Sequence, residues 1–129
     1  SGDVRLSAVR KSIDLPLKQT QDVEGEEDGK KAAATLQTEV QAMRLGDVYI
    51  LGLPGEILVE IGLAIKRGAA IDNLFIISLA NDGCGYVCHR AAYKEGGYEP
   101  ERATNLAEGA GELIQQHALA LLEELKNAM

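Results

Sequence analysis

Tryptophan is absent from this 129-residue chain, and one phenylalanine and four tyrosines are its only aromatic hydrophobic residues. A core must therefore be assembled from Ile, Leu, Val and Ala, which suits an ordinary α/β or α+β domain. Lys and Arg number 13 against 20 Asp and Glu, leaving a formal net charge of −7. That balance repels a phosphate backbone, and no basic cluster interleaved with aromatics offsets it, so nucleic acid is not an expected partner. Long apolar runs are missing too. Nothing approaches the ~20 residues needed to cross a bilayer, and the charged start Ser1–Lys11 has no signal-peptide apolar segment. The compartment stays open, since an upstream signal removed before Ser1 would make the protein secreted or periplasmic. Cysteine is scarce: Cys84 and Cys88 are the whole complement, too few for a disulfide framework, and read as two free thiols.

What is present is 46% hydrophobic and 26% charged residues, enough for one packed domain over residues 1–129 and too little for two. Val4, Leu6 and Ala8, then Ile13, Leu15 and Leu17, recur at period two with a change of parity. This predicts an extended strand over Asp3–Lys18 interrupted by a bulge or bend. Gln21–Lys31 is acidic, contains glycine and lacks periodicity, as expected of a solvated loop joining two strands. Thr35–Met43 alternates again, and the apolar run Val48–Leu53 closes on Pro54-Gly55, the pattern of a buried strand feeding a turn. Ile57, Leu58, Ile61, Leu63, Ala64 and Ile65 follow helical spacing, with Lys66-Arg67-Gly68 as a stop signal, so a helix is predicted over Glu56–Arg67. Leu74–Leu79 reads as a second buried strand. With a helix between them, it and Val48–Leu53 should form a parallel βαβ unit. A short helical turn is expected around His89–Lys94, and an amphipathic helix over Leu106–Lys126 that packs on the sheet. The fold class is thus α/β, a mixed sheet with a βαβ unit and a C-terminal amphipathic helix. Open strand edges should favour self-association, so a homo-oligomer is expected in solution.

Pro54-Gly55-Glu56 places a carboxylate at the predicted strand-to-helix corner, where unpaired N–H groups and the helix dipole favour an anion. Glu56 can serve there as a metal ligand or merely cap the helix. Asn81, Asp82, Tyr86, Tyr93 and Tyr98 crowd one glycine-rich segment beyond a strand's C-terminal end, the customary place for a site in an open α/β sheet. Taken singly, Asn81 and Asp82 read as loop-end hydrogen-bonding groups and the tyrosines as half-buried packing. His117 falls on the apolar face of the last helix and reads as a packing residue. Cys84, Cys88 and His89 lack the paired Cys-x-x-Cys knuckles of structural zinc sites, and Ser78 lacks a nucleophile elbow.

Together the motifs say more than they do singly. Gly46–Ile57 (GDVYILGLPGEI) followed by Leu79–Glu101 (LANDGCGYVCHRAAYKEGGYEPE) resembles the C-terminal half of the catalytic domain of the neutral/alkaline ceramidases, in their bacterial branch. The resemblance rests on Pro54-Gly55-Glu56, on Ala80-Asn81 with Gly85-Tyr86, and on Ala92-Tyr93 with Gly97-Tyr98-Glu99, three elements in order at compatible spacings. It implies part of a larger hydrolase domain, a zinc-dependent amidase that cleaves the N-acyl bond of ceramide or a related N-acyl lipid or other amide. It also implies that Glu56 and Tyr86 are zinc ligands and that Tyr98 is the catalytic tyrosine whose hydroxyl faces the reacting amide or the hydroxyl nucleophile. The family's two histidine ligands and its serine belong to the N-terminal half, so this chain alone is expected to be inactive. The alternative is a non-catalytic binding or assembly module that kept the fold, and upstream sequence would separate the two.

Overall fold

The structure, a computed structural model, describes residues 4–18 and 34–128. The acidic segment expected over Gln21–Lys31 lies outside them. Strands β1 (Leu6–Pro16), β2 (Thr35–Leu45), β3 (Val48–Gly52) and β5 (Leu74–Ile77) form one sheet in the order β1-β2-β3-β5. β1–β2 and β2–β3 are antiparallel, whereas β3 and β5 run parallel. Two further strands of two residues each, β4 (Glu56–Ile57) and β6 (Tyr86–Val87), pair in parallel beside it. Helix α1 (Val59–Ala69) lies between β3 and β5, as the βαβ reading requires, followed later by α2 (Arg90–Glu95) and α3 (Ala110–Asn127).

The expected bulge in the first strand does not form. β1 pairs with β2 in one unbroken register from Leu6 opposite Leu45 to Pro16 opposite Thr35. Ile13 and Leu15 point into the core, whereas Leu6 points outward and is 73% exposed. The apparent change of parity is therefore an apolar residue set on each face of a straight strand, because side chains alternate strictly along an unbulged strand. The same holds for the strands expected to be fully buried. Tyr49, Leu51 and Leu74 face inward, whereas Phe75 is 60% exposed and Ile77 50%.

The core lies on the inner face. Ile13 and Leu15 of β1, Val40 and Ala42 of β2, and Leu51 of β3 meet Ile114, Ala118, Leu121, Leu122 and Leu125 of α3. These α3 positions recur at helical spacing, which is why an 18-residue helix can lie along the sheet. α3 touches β1, β2 and β3, and α1 packs on α3. At this crossing Gly68 lets the helices approach, since a Cβ there would sit 3.0 Å from a methyl of Leu119. Gly68 is consequently inside α1 rather than its stop. The helix runs on to Ala69 and is closed by left-handed Ala70, whose N–H donates to Lys66 O.

Both ends of the predicted last helix shift for a similar reason. Residues 105–107 are stitched to the end of β1, with Ala107 N donating to Pro16 O and Lys18 N to Asn105 O, so helical bonding starts only at Ala110. At the other end the helix runs one residue beyond Lys126, and one cation meets its last carbonyls. Arg44 Nη1 donates to Leu125 O, which complements the negative end of the helix dipole. Among the described residues no helix is long and apolar enough to cross a membrane.

Candidate functional site

The site forms where the parallel strands end. β3 leads into Pro54-Gly55, and Gly55 adopts φ +73° with Gly85 O only 2.5 Å from where a Cβ would stand. A side chain at position 55 is thus barred by both conformation and space. The chain leaves this turn extended rather than helical: Glu56 N donates to Gly85 O and Leu58 N to Val87 O. α1 begins only at Val59, with Leu58 as its N-cap. The predicted helix over Glu56–Arg67 is therefore displaced, and Glu56 neither caps it nor sits in the field of its first turn. The cause is tertiary, because strand pairing with β6 satisfies the backbone of residues 56–58 before a helix can.

Pairing sets the geometry of the candidate ligands. Glu56 is the direct register partner of Tyr86 across the parallel β4–β6 pair. Registered residues on adjacent strands project to the same face, so the carboxylate and the phenol are neighbours. Their coupling appears in the Tyr86 hydroxyl, whose pKa is raised first by the Glu56 charge, then by desolvation, and further by Tyr98 and Glu99. Tyr98 is 64% exposed and precedes a wide turn of π-helix over Glu99–Ala103, a geometry often found at functional sites. The fold thus gathers Glu56, Tyr86 and Tyr98, the outer two 42 residues apart in sequence, onto one open surface. Glu99 joins them. The sequence offers one hint of its part, its place directly after Tyr98 in the Gly97-Tyr98-Glu99 element.

The remaining candidates divide from this group. Asn81 Nδ2 donates to Gln41 Oε1 at 2.7 Å, and Thr38 Oγ1 donates to Asp82 Oδ2 at 2.7 Å. Both residues pin the loop against β2, as loop-end hydrogen-bonding groups do. Tyr93 turns inward and donates its hydroxyl to Leu106 O at 2.8 Å. Burial, with smaller contributions from neighbouring charges, pushes its pKa up to about 12. Because the folded state holds this proton more tightly than the unfolded state, the stabilisation is complete below pH ~10 and disappears as the pH climbs towards 12. Tyr93→Phe should cost about 1 kcal/mol at pH 7 by loss of the hydrogen bond, and should flatten this alkaline fall. Urea unfolding at pH 7 and pH 11 checks both. A variant whose loss of stability between these pH values matches the parent's would assign that fall to other groups.

Cys84 and Cys88 are free thiols, each pushed up in pKa mainly by burial, hence poor nucleophiles at neutral pH. His89 faces Glu60, its Nδ1 3.7 Å from Glu60 Oε2. His117 is half-buried along α3. Among the described residues, no three or more His, Cys, Asp and Glu side chains converge to hold a metal ion.

The fold is an α/β layer with an oxygen-rich surface at the carboxyl ends of its parallel strands. No protein-family model matches the chain, and no curated protein does. Among solved structures, neutral ceramidase from Pseudomonas aeruginosa shares this fold with a TM-score of 0.57 and 26% identity, over 68% of this chain and 16% of that one. A ceramidase complexed with C2 aligns over 85% of this chain and 20% of its own, with a TM-score of 0.63 and 19% identity. The chain is therefore ceramidase-like, and it spans about a fifth or less of the length of the structures it matches.

Proposed function

We propose that this chain is the C-terminal portion of a zinc-dependent amide hydrolase domain acting on an N-acyl lipid or another amide. The observation that carries the reading is the Glu56–Tyr86 pair, set side by side by β4 and β6 within a fold shared with neutral ceramidase. A zinc ion accepts such donors: a carboxylate oxygen is an ordinary ligand, and a nearby cation would reverse the Glu56 effect that holds the proton on Tyr86. Two donors are fewer than the three protein ligands of catalytic zinc sites, so the remainder of the domain must bring the others. By the family resemblance these are two histidines, together with a serine.

When bound, zinc supplies a Lewis acid that polarises the amide carbonyl and lowers the pKa of water. Glu56 and Tyr86 would hold it. Tyr98, exposed beside them, would donate its hydroxyl to the oxygen on which negative charge develops. Glu99 adds negative charge at the same place, which favours a cation there.

The test is to recover the full reading frame, express the intact protein, and measure its zinc together with fatty-acid release from a panel of N-acyl substrates including ceramide. Stoichiometric zinc with hydrolysis of at least one substrate supports the reading. A metal-free, inactive protein overturns it and leaves a binding or assembly module that kept the fold.

A further inference from the structure

The sheet has a second face. One row across all four strands, Ala8–Met43–Ile50–Phe75, is apolar from edge to edge, and Leu45 and Ile77 extend it to either side. Met43 is 37% exposed and Leu45 39%, while Phe75 and Ile77 are half exposed or more. Contiguous apolar surface of this kind marks a contact, because soluble monomers rarely leave a broad apolar patch in water. The inner face already has α3.

We infer that this outer face seats an apolar layer belonging to the rest of the hydrolase domain, and that the same layer completes the site. Two observations identify the occupant. The structures sharing this fold are at least about five times longer than the part this chain matches, so they hold ample polypeptide for a further layer. The patch is also continuous with the site: β5 ends at Ile77, and two residues on, the N–H of Leu79 donates to Gly55 O next to Glu56. A layer on Phe75 and Ile77 therefore ends beside the Glu56–Tyr86 pair, where further ligands are needed. The inference rests on the hydrolase reading only for the identity of the partner.

Phe75→Cys tests it without any measurement of activity. The substitution is made in this chain alone and in the intact polypeptide of the full reading frame, in a background where Cys84 and Cys88 are replaced by alanine. Reaction with a maleimide should be rapid in the chain alone and at least tenfold slower in the intact polypeptide. In parallel, Phe75→Glu should leave the Tm of the chain alone nearly unchanged and lower that of the intact polypeptide by several degrees. Equal labelling in both, or crosslinking of Cys at 75 to a second copy of the intact polypeptide, overturns the proposal. So does a reading frame that encodes no further layer. A protected position 75 in a protein that lacks zinc and hydrolysis would defeat the hydrolase reading while leaving the docking face in place.

Discussion

Replacing Glu56 with alanine is expected to cost the intact protein most of its zinc and at least about 100-fold in hydrolysis, while barely changing its Tm. Glu56 is exposed and lies ahead of α1, so its truncation removes neither core packing nor a helix cap. Loss of an anionic ligand from a site with few donors should exceed the 10- to 100-fold cost typical of an outer-shell partner. A second readout needs neither metal nor substrate. Glu56 is the largest cause of the raised Tyr86 pKa, so Glu56→Ala should move that titration down towards the ordinary tyrosine value in ultraviolet titration of this chain alone. Tyr98→Phe should behave differently: zinc retained, hydrolysis down by about 10²- to 10³-fold, as for loss of one oxyanion donor. Zinc loss in both variants, or in neither, would contradict the division of roles between ligand and donor.

Gly111→Ala is expected to destabilise the fold by about 2 kcal/mol, near the middle of the range for overpacking. A Cβ at this second residue of α3 would collide with the carbonyl oxygen of Cys88 and stand 2.9 Å from Cδ1 of Ile61. The carbonyl is backbone, held by the run from β6 into α2, so it has little room to yield. Gly62→Ala supplies the contrast. Gly62 also lies in a helix, α1, but a Cβ there meets nothing within 4 Å, so the change should stabilise by roughly 0.5–1 kcal/mol through helix propensity. Opposite shifts in thermal or urea denaturation are the expected result. A neutral Gly111→Ala would mean that α3 and the Cys88 segment are not in this close contact.

Much of the architecture follows from local pattern. Period-two alternation marks β1 and β2, and helical spacing marks α1 and α3, because each such segment must bury one apolar stripe whatever its neighbours. A short helix does form near the expected His89–Lys94, and the parallel pairing of β3 with β5 follows from the helix that lies between them. Glu56, Tyr86 and Tyr98 are legible as candidates too, through the three spaced motifs that resemble a ceramidase.

Their relation to one another is not. Strands of two residues are too short to show a period, so nothing local announces that residues 56 and 57 pair with 86 and 87 rather than opening a helix. Nor can alternation say which face of a strand is covered, since Leu6 and Phe75 are as apolar as Leu15 and Leu74 yet point the other way. The sequence by itself determined which segments carry apolar stripes, the excess of negative charge and the residue types available for chemistry. Tertiary structure decided the start of α1, the straight register of β1 and the meeting of Glu56 with Tyr86, because backbone hydrogen bonds between distant segments outcompete the local preference of each.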